Sequence, residues 1–166
     1  RLVDTSALSH QVRALQVDGG TIYGATRREH FRFGLADEVF QVETATLTRG
    51  LELVPDGAPL IYGEFGIREV FGGVTATTAI ERVNLDVRHV EMVNAGYGML
   101  IDEVSMIYSF TGVAWSLETP GLGGFTVESF RRLDGDATSF LAVGKRENAF
   151  RKKDGASGGG PAVGNT

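Results

Sequence analysis

From Thr21 onward the chain alternates apolar and polar residues, which predicts strands. TIYGAT and HFRFGL are short and β-rich, and EVFQVETATLTRG sets Phe40, Val42, Thr44, Thr46 and Thr48 on one side. The turn cluster PDGAP precedes LIYGEFGIREVF, and Gly72–Gly73 mark the next break. In AIERVNLDVRHVEMV, Val83, Leu85 and Val87 share one parity, whereas Val90 and Met92 resume on the other, a slip at Arg88–His89. EVSMIYSFTGVAWSL repeats the behaviour: Val104, Met106, Tyr108 and Phe110 alternate, then Val113, Trp115 and Leu117 take the opposite parity after Gly112. A β-bulge inserts one residue and exchanges the faces, and glycine tolerates it, so Gly112 is predicted to be a strand bulge.

NAGYG joins these two stretches, so residues 79–117 read as a long β-hairpin, and FTVESFRR and TSFLAVG flank DGD as another. The opening DTSALSHQVRALQVDGG is the best helix candidate. Asp4, Thr5 or Ser6 could cap it, Leu8, Val12 and Leu15 lie at helical spacing, and Gly19–Gly20 end it, although QVRALQV also reads as a strand. The sum is about eight strands with one or two short helices and no repeat of fixed period. The predicted class is mainly β, an antiparallel barrel or sandwich, with residues 1–144 as one domain. Residues 145–166 read as a basic, then Gly-rich, flexible C-terminal arm.

With 166 residues and 42% apolar content, the chain can bury a core without covalent staples. It has no cysteine, which excludes disulfides, thiol nucleophiles and thiolate metal sites. No signal peptide or membrane-spanning run is visible, and the chain does not start with Met, so it is processed, trimmed or not fully seen. Net charge is −5 and unevenly placed: residues 1–130 hold 9 Lys/Arg against 17 Asp/Glu, residues 131–166 hold 7 against 4. An acidic body with a basic end suits head-to-tail contact between copies; a solvated basic segment is the blander reading.

Candidate chemistry is sparse. GASGG at 155–159 matches G-x-S-x-G around Ser157, but a glycine tail lacks the strand and helix that expose a nucleophile. Among His10, His30 and His89, the last would share a strand face with Glu91 and could bind metal with Asp102 or Glu103 across the hairpin. A solvated strand face explains the same residues, and no metal or other cofactor is assigned. DGDAT at 134–138 lacks the later glycine and glutamate of a calcium loop and reads as a turn. Glu64 and Glu69 form an acid–base pair only if the fold sets them across a cleft. KRENAFRKK at 145–153 could meet phosphates, yet the chain as a whole is acidic, and Phe150 amid the charges is more simply a packing anchor.

The succession AIERVNLDVRHVEMV, NAGYG, IDEVSMIYSFTGVAWSL and GLGG, over residues 79–124, resembles the C-terminal half of the type VI secretion tube proteins and phage tail-tube subunits. That resemblance implies a non-catalytic β-barrel whose rings stack into a tube, found in a virion or a secreted assembly. The expected function is therefore a structural, self-assembling subunit whose partners are copies of itself and other proteins of the same assembly, without nucleic acid or membrane. Its assembly interface would use strand edges and Lys145, Arg146, Phe150, Arg151, Lys152 and Lys153. The alternative is a monomeric β-barrel or sandwich that binds a small ligand, extending to an enzyme that uses carboxylates.

Overall fold

A computed structural model describes residues 6–118, except 46, 56, 71–78, 82 and 105, and the backbone of three strands beyond them. The mainly antiparallel β class holds. The described strands number fourteen, and they divide into four sheets. The first sheet is β1 (Ala14–Asp18), β2 (Thr21–Ala25), β3 (Glu29–Gly34) and β4 (Phe40–Thr44), paired in chain order. The second is β5 (Thr48–Glu52), β6 (Leu60–Gly63) and β7 (Gly66–Glu69). A 3-10 turn at Ala79–Glu81 precedes the third, β8 (Val87–Asn94), β9 (Tyr97–Asp102), β10 (Ile107–Phe110) and β11 (Trp115–Leu117). The fourth is β12 (Val127–Arg132), β13 (Phe140–Gly144) and β14 (Ala149–Lys152). Each sheet is an up-and-down meander made from one contiguous stretch of chain.

Several expectations are corrected. The opening segment does not become a helix over its described part: Ala14–Asp18 is a strand, paired with β2 across Gly19–Gly20. Both glycines have positive φ, 52° and 82°, as a two-residue hairpin turn requires. The pattern read as one strand over EVFQVETATLTRG is two strands belonging to different sheets, β4 and β5. The slip at Arg88–His89 is a register shift between Val87 and His89 in the β8–β9 ladder, as a bulge demands. Gly112 is different. It lies in the turn between β10 and β11 with φ 83°, and Phe110 pairs with Trp115 directly across it. The chain reverses there, so no single strand bends.

The sheets stack face to face. Ala14, Tyr23 and Ala25 of the first pack with Leu51 and Ile61 of the second. The opposite face of the second sheet (Leu60, Tyr62, Ile67) packs with Val90, Met92, Leu100 and Phe110 of the third. Trp115 joins this layer and its Nε1 donates to the Ile80 carbonyl at 2.9 Å. The far face of the third sheet is buried too: Met99, Ile101 and Ile107 are at most 1% exposed. The first strand of every sheet lies beside the first strand of the next, β1 by β5, β5 by β8 and β8 by β12. Four meanders are thus arrayed about their opening strands, and the repetition unseen in the sequence lies in the topology.

Phe150, Arg151 and Lys152 belong to β14, hydrogen-bonded to β13, so the fourth sheet extends past residue 144. Lys145, Arg146, Lys153 and the Gly-rich end, with Ser157, lie outside the described residues.

Candidate functional site

The inner strands bring polar residues together at two levels. At the N-terminal ends of β5 and β8, a cleft of about 560 Å³ is lined by Arg49, Glu64, Asn84, Leu85, Asp86 and Glu103. Arg49 is the second residue of β5 and Asp86 immediately precedes β8, while Glu64 and Glu103 sit in the turns after β6 and β9. The Arg49 guanidinium grips Asp86 with both arms, Nε to Oδ1 at 2.6 Å and Nη2 to Oδ2. This pairing raises the Arg49 pKa, with Glu64 and Glu103 adding to the same effect. Asp86 is thereby neutralised and Arg49 committed, which leaves the Glu64 and Glu103 carboxylates as the excess charge of the cleft.

Deeper along the inner strands, Glu52 ends β5 and accepts a hydrogen bond from the Met92 N–H at 3.1 Å. Burial pushes its carboxyl up to about 7 against an ordinary 4.5, although Met92 and the Gln16 side chain oppose the shift and Glu91 reinforces it. Gln16, from β1, also donates to the Leu51 carbonyl at 3.1 Å. Tyr62 stands beside this group, pushed up to about 12 by burial and by Glu52 and Glu91. Its ring meets His89 edge-on at 6.3 Å, and burial lowers the His89 pKa, favouring neutral imidazole.

Of the metal ligands weighed from sequence, His89 and Glu91 do adjoin, 4.0 Å apart. Asp102 is occupied elsewhere: its Oδ1 accepts from the N–H groups of Val104 and Met106, closing the β9–β10 turn. Among the described residues, no three His, Asp or Glu side chains lie close enough to hold a metal ion. Glu64 and Glu69 do not face one another. Glu69 lines a separate crevice of about 250 Å³ with Val54, Leu60, Ile80, Phe110 and Gly112.

Ser9, His10 and Glu29 form a cluster that sequence spacing could not reveal. The Ser9 hydroxyl lies 3.0 Å from His10 Nδ1 and also donates to Glu29 Oε1. Nucleophile activation requires the serine proton to go to a competent base. Here it goes to a carboxylate lowered to about 2 by the Ser9 hydroxyl, helped by the Ser9 N–H, Thr26 and His10 against the opposing effect of burial. The cluster ties residues 9 and 10 to the β2–β3 turn.

The sequence matches no protein-family model and no curated protein. Among solved structures it is similar to dihydro-heme d1 dehydrogenase NirN in complex with DHE (TM-score 0.60, 15% identity, 90% of this chain and 37% of that one). It is also similar to the calcium-binding protein regucalcin from Agrobacterium tumefaciens (TM-score 0.55, 16% identity, 93% of this chain and 57% of that one). The chain therefore spans well under two thirds of either structure. Both are propeller-type folds, and radially arrayed meanders are the propeller arrangement. The expected tail-tube and type VI resemblance is overturned, and with it the structural subunit of a tube, virion or secretion filament. Within residues 79–124, the region that suggested it, Ala79–Glu81 is the 3-10 turn and the strands from Val87 to Leu117 are the third meander. What this chain shares with its structural neighbours is the propeller-type fold.

Proposed function

We propose that this chain is a ligand-binding segment of propeller type, and that its ligand is a small organic cation held at the mouth of the inner strands. The observation that carries the reading is the cleft between the second and third sheets. Glu64 and Glu103 line it from successive sheets, while the one arginine among the described residues that line it is spent on Asp86. Two carboxylates with Asn84 offer acceptors to an ammonium or guanidinium group, and the acidic character of residues 1–130 favours its approach. A calcium ion, which the name of regucalcin suggests, has no third close carboxylate among the described residues.

The test is calorimetric titration with small amines (putrescine, choline, arginine methyl ester) and with calcium chloride. Saturable amine binding that is lost in the Glu64→Gln/Glu103→Gln double variant supports the reading. Absence of amine binding, or binding that survives both substitutions, sinks it.

A second reading, favoured by Glu52, is carboxylate acid–base chemistry near the axis. A carboxyl held at about 7 beside Tyr62, His89 and Glu91 can both take and give a proton at neutral pH. Turnover abolished by Glu52→Gln, with ligand affinity unchanged, would select this reading over binding alone.

A further inference from the structure

We propose that the crevice beside Phe110 is a second ligand site, and that it takes a primary amine carried on a single ring, the ring against Phe110 and Ile80 and the ammonium on Glu69. The inference starts from where the crevice lies. Val54 and Gly57 follow β5, Ala95 follows β8 and Gly112 follows β10, so it opens at the C-terminal ends of these strands. The Arg49–Asp86 cleft lies at the N-terminal ends of β5 and β8. The junction of the second and third sheets therefore has one opening at each end, and the two share no lining residue.

The floor of the crevice is core. Leu60, Ile80 and Phe110 are at most 7% exposed, and all three belong to the cluster that joins the two sheets. Side chains in such a layer normally interlock without gaps. Here the rim supplies nothing to fill the space, because Gly57, Ala58, Ala79, Ala95 and Gly112 carry a Cβ at most. Hydrogen bonds from separate elements hold the walls. The Gly57 N–H donates to the Val54 carbonyl at 3.0 Å, the Glu69 N–H to the Glu81 carboxylate at 3.0 Å, and Trp115 to the Ile80 carbonyl. The space of about 250 Å³ is thus formed before any ligand arrives. An apolar cavity of about 150 Å³ takes benzene, so one ring with a short arm matches this one.

Charge selects the arm. Glu69 is the one ionisable residue among the described residues that line the crevice, and the others are apolar or glycine. The Glu81 carboxylate, accepting from the Glu69 N–H, adds negative charge at the same edge. Arg68, next to Glu69 in β7, faces the other way across the strand and lies 5.0 Å over the Phe65 ring. A carboxylate at the edge of an apolar floor offers an ammonium a charge-assisted hydrogen bond and repels an anionic ligand.

Trp115 reports on the site, since it packs on Phe110 and bonds to Ile80, both of which line the crevice. The test is titration of its emission in the full chain. Phenethylamine should quench it saturably. Phenethyl alcohol, the same shape without the charge, should bind about tenfold more weakly, and phenylacetate and putrescine should leave the emission unchanged. Glu69→Gln should weaken phenethylamine about tenfold. Ala95→Leu, in an exposed turn, should abolish binding by filling the space while circular dichroism stays native. The Glu64→Gln/Glu103→Gln variant should bind phenethylamine as the native chain does, which separates this site from the cleft. Absence of saturable quenching, equal affinity for the alcohol, or quenching by phenylacetate or putrescine would each overturn the proposal. So would binding indifferent to Glu69→Gln or Ala95→Leu, or binding lost with Glu64 and Glu103.

Discussion

The ring of Phe31 lies over Gly24, its partner in the β2–β3 ladder, so closely that a Cβ on the glycine would stand 2.1 Å from Phe31 Cζ. Phe31 is only 3% exposed, and it stacks at 5.3 Å on Phe40 from the next strand. The glycine is therefore a space requirement of the outer face of the first sheet. Gly24→Ala should cost about 1–3 kcal/mol, because the ring must leave its rotamer or the strands must part. Urea unfolding measures it. Adding Phe31→Leu should recover part of the loss, and an unchanged midpoint for Gly24→Ala would show that the ring moves freely.

Glu52 gives the fold a pH signature. Its carboxyl sits near 7 when folded and near 4.5 when unfolded, chiefly through burial. Between those values the folded chain holds a proton that the unfolded chain releases, so this contribution to stability declines as pH rises through the window. The full effect above it is at most about 3 kcal/mol. Glu52→Gln keeps an acceptor for the Met92 N–H and removes the titration. Its advantage over the native chain should be absent near pH ~4 and present near pH ~8. Equal stability at the higher pH would contradict the burial of that carboxyl.

Glu29 acts at the other end of the scale. The Ser9 hydroxyl and N–H, with Thr26 and His10, lower it to about 2 from 4.5. The stability it contributes is complete above the unfolded value and disappears as pH falls through the folded one. Ser9→Ala removes the largest of these donors and should move the acid-induced loss toward higher pH. Carboxyl-carbon NMR reads the Glu29 titration directly, and a midpoint unmoved by Ser9→Ala would reject the contact.

Trp115 is the only tryptophan, packed 5.1 Å from Phe110 and bonded to the Ile80 carbonyl. Trp115→Phe leaves that carbonyl without its indole donor and should cost about 1–3 kcal/mol. Native emission should report the junction of the second and third sheets alone. A small apolar amine entering the crevice beside Phe110 should quench it, whereas a ligand confined to the Arg49–Asp86 cleft should not.

Strand alternation was readable because half-buried strands must alternate, and the bulge at Arg88–His89 was readable for the same reason. What alternation cannot report is which strand pairs with which. Gly112 illustrates this: a parity change through a glycine has the same pattern in a bulge and in a hairpin turn, and only the Phe110–Trp115 pairing separates them. The repeat is hidden in the sequence because loops of unequal length separate the sheets and their opening strands share no side-chain pattern, ALQVD against TRGLE. The cleft was equally hidden. Arg49 and Asp86 stand 37 positions apart, and Glu64 and Glu69, close in sequence, are sent by the β6–β7 reversal to different crevices.

Because each meander is built from one uninterrupted stretch, almost all strand pairing is local in sequence, and long-range order comes only from layer-to-layer packing. Such a chain behaves nearly as a one-dimensional series of nearest-neighbour couplings, more like a solenoid than a closed barrel. Pairing only strands adjacent in sequence allows each meander to form as a unit. Partial unfolding should open the smaller Ala25–Leu51–Ile61 junction before the Leu60–Val90–Leu100 layer.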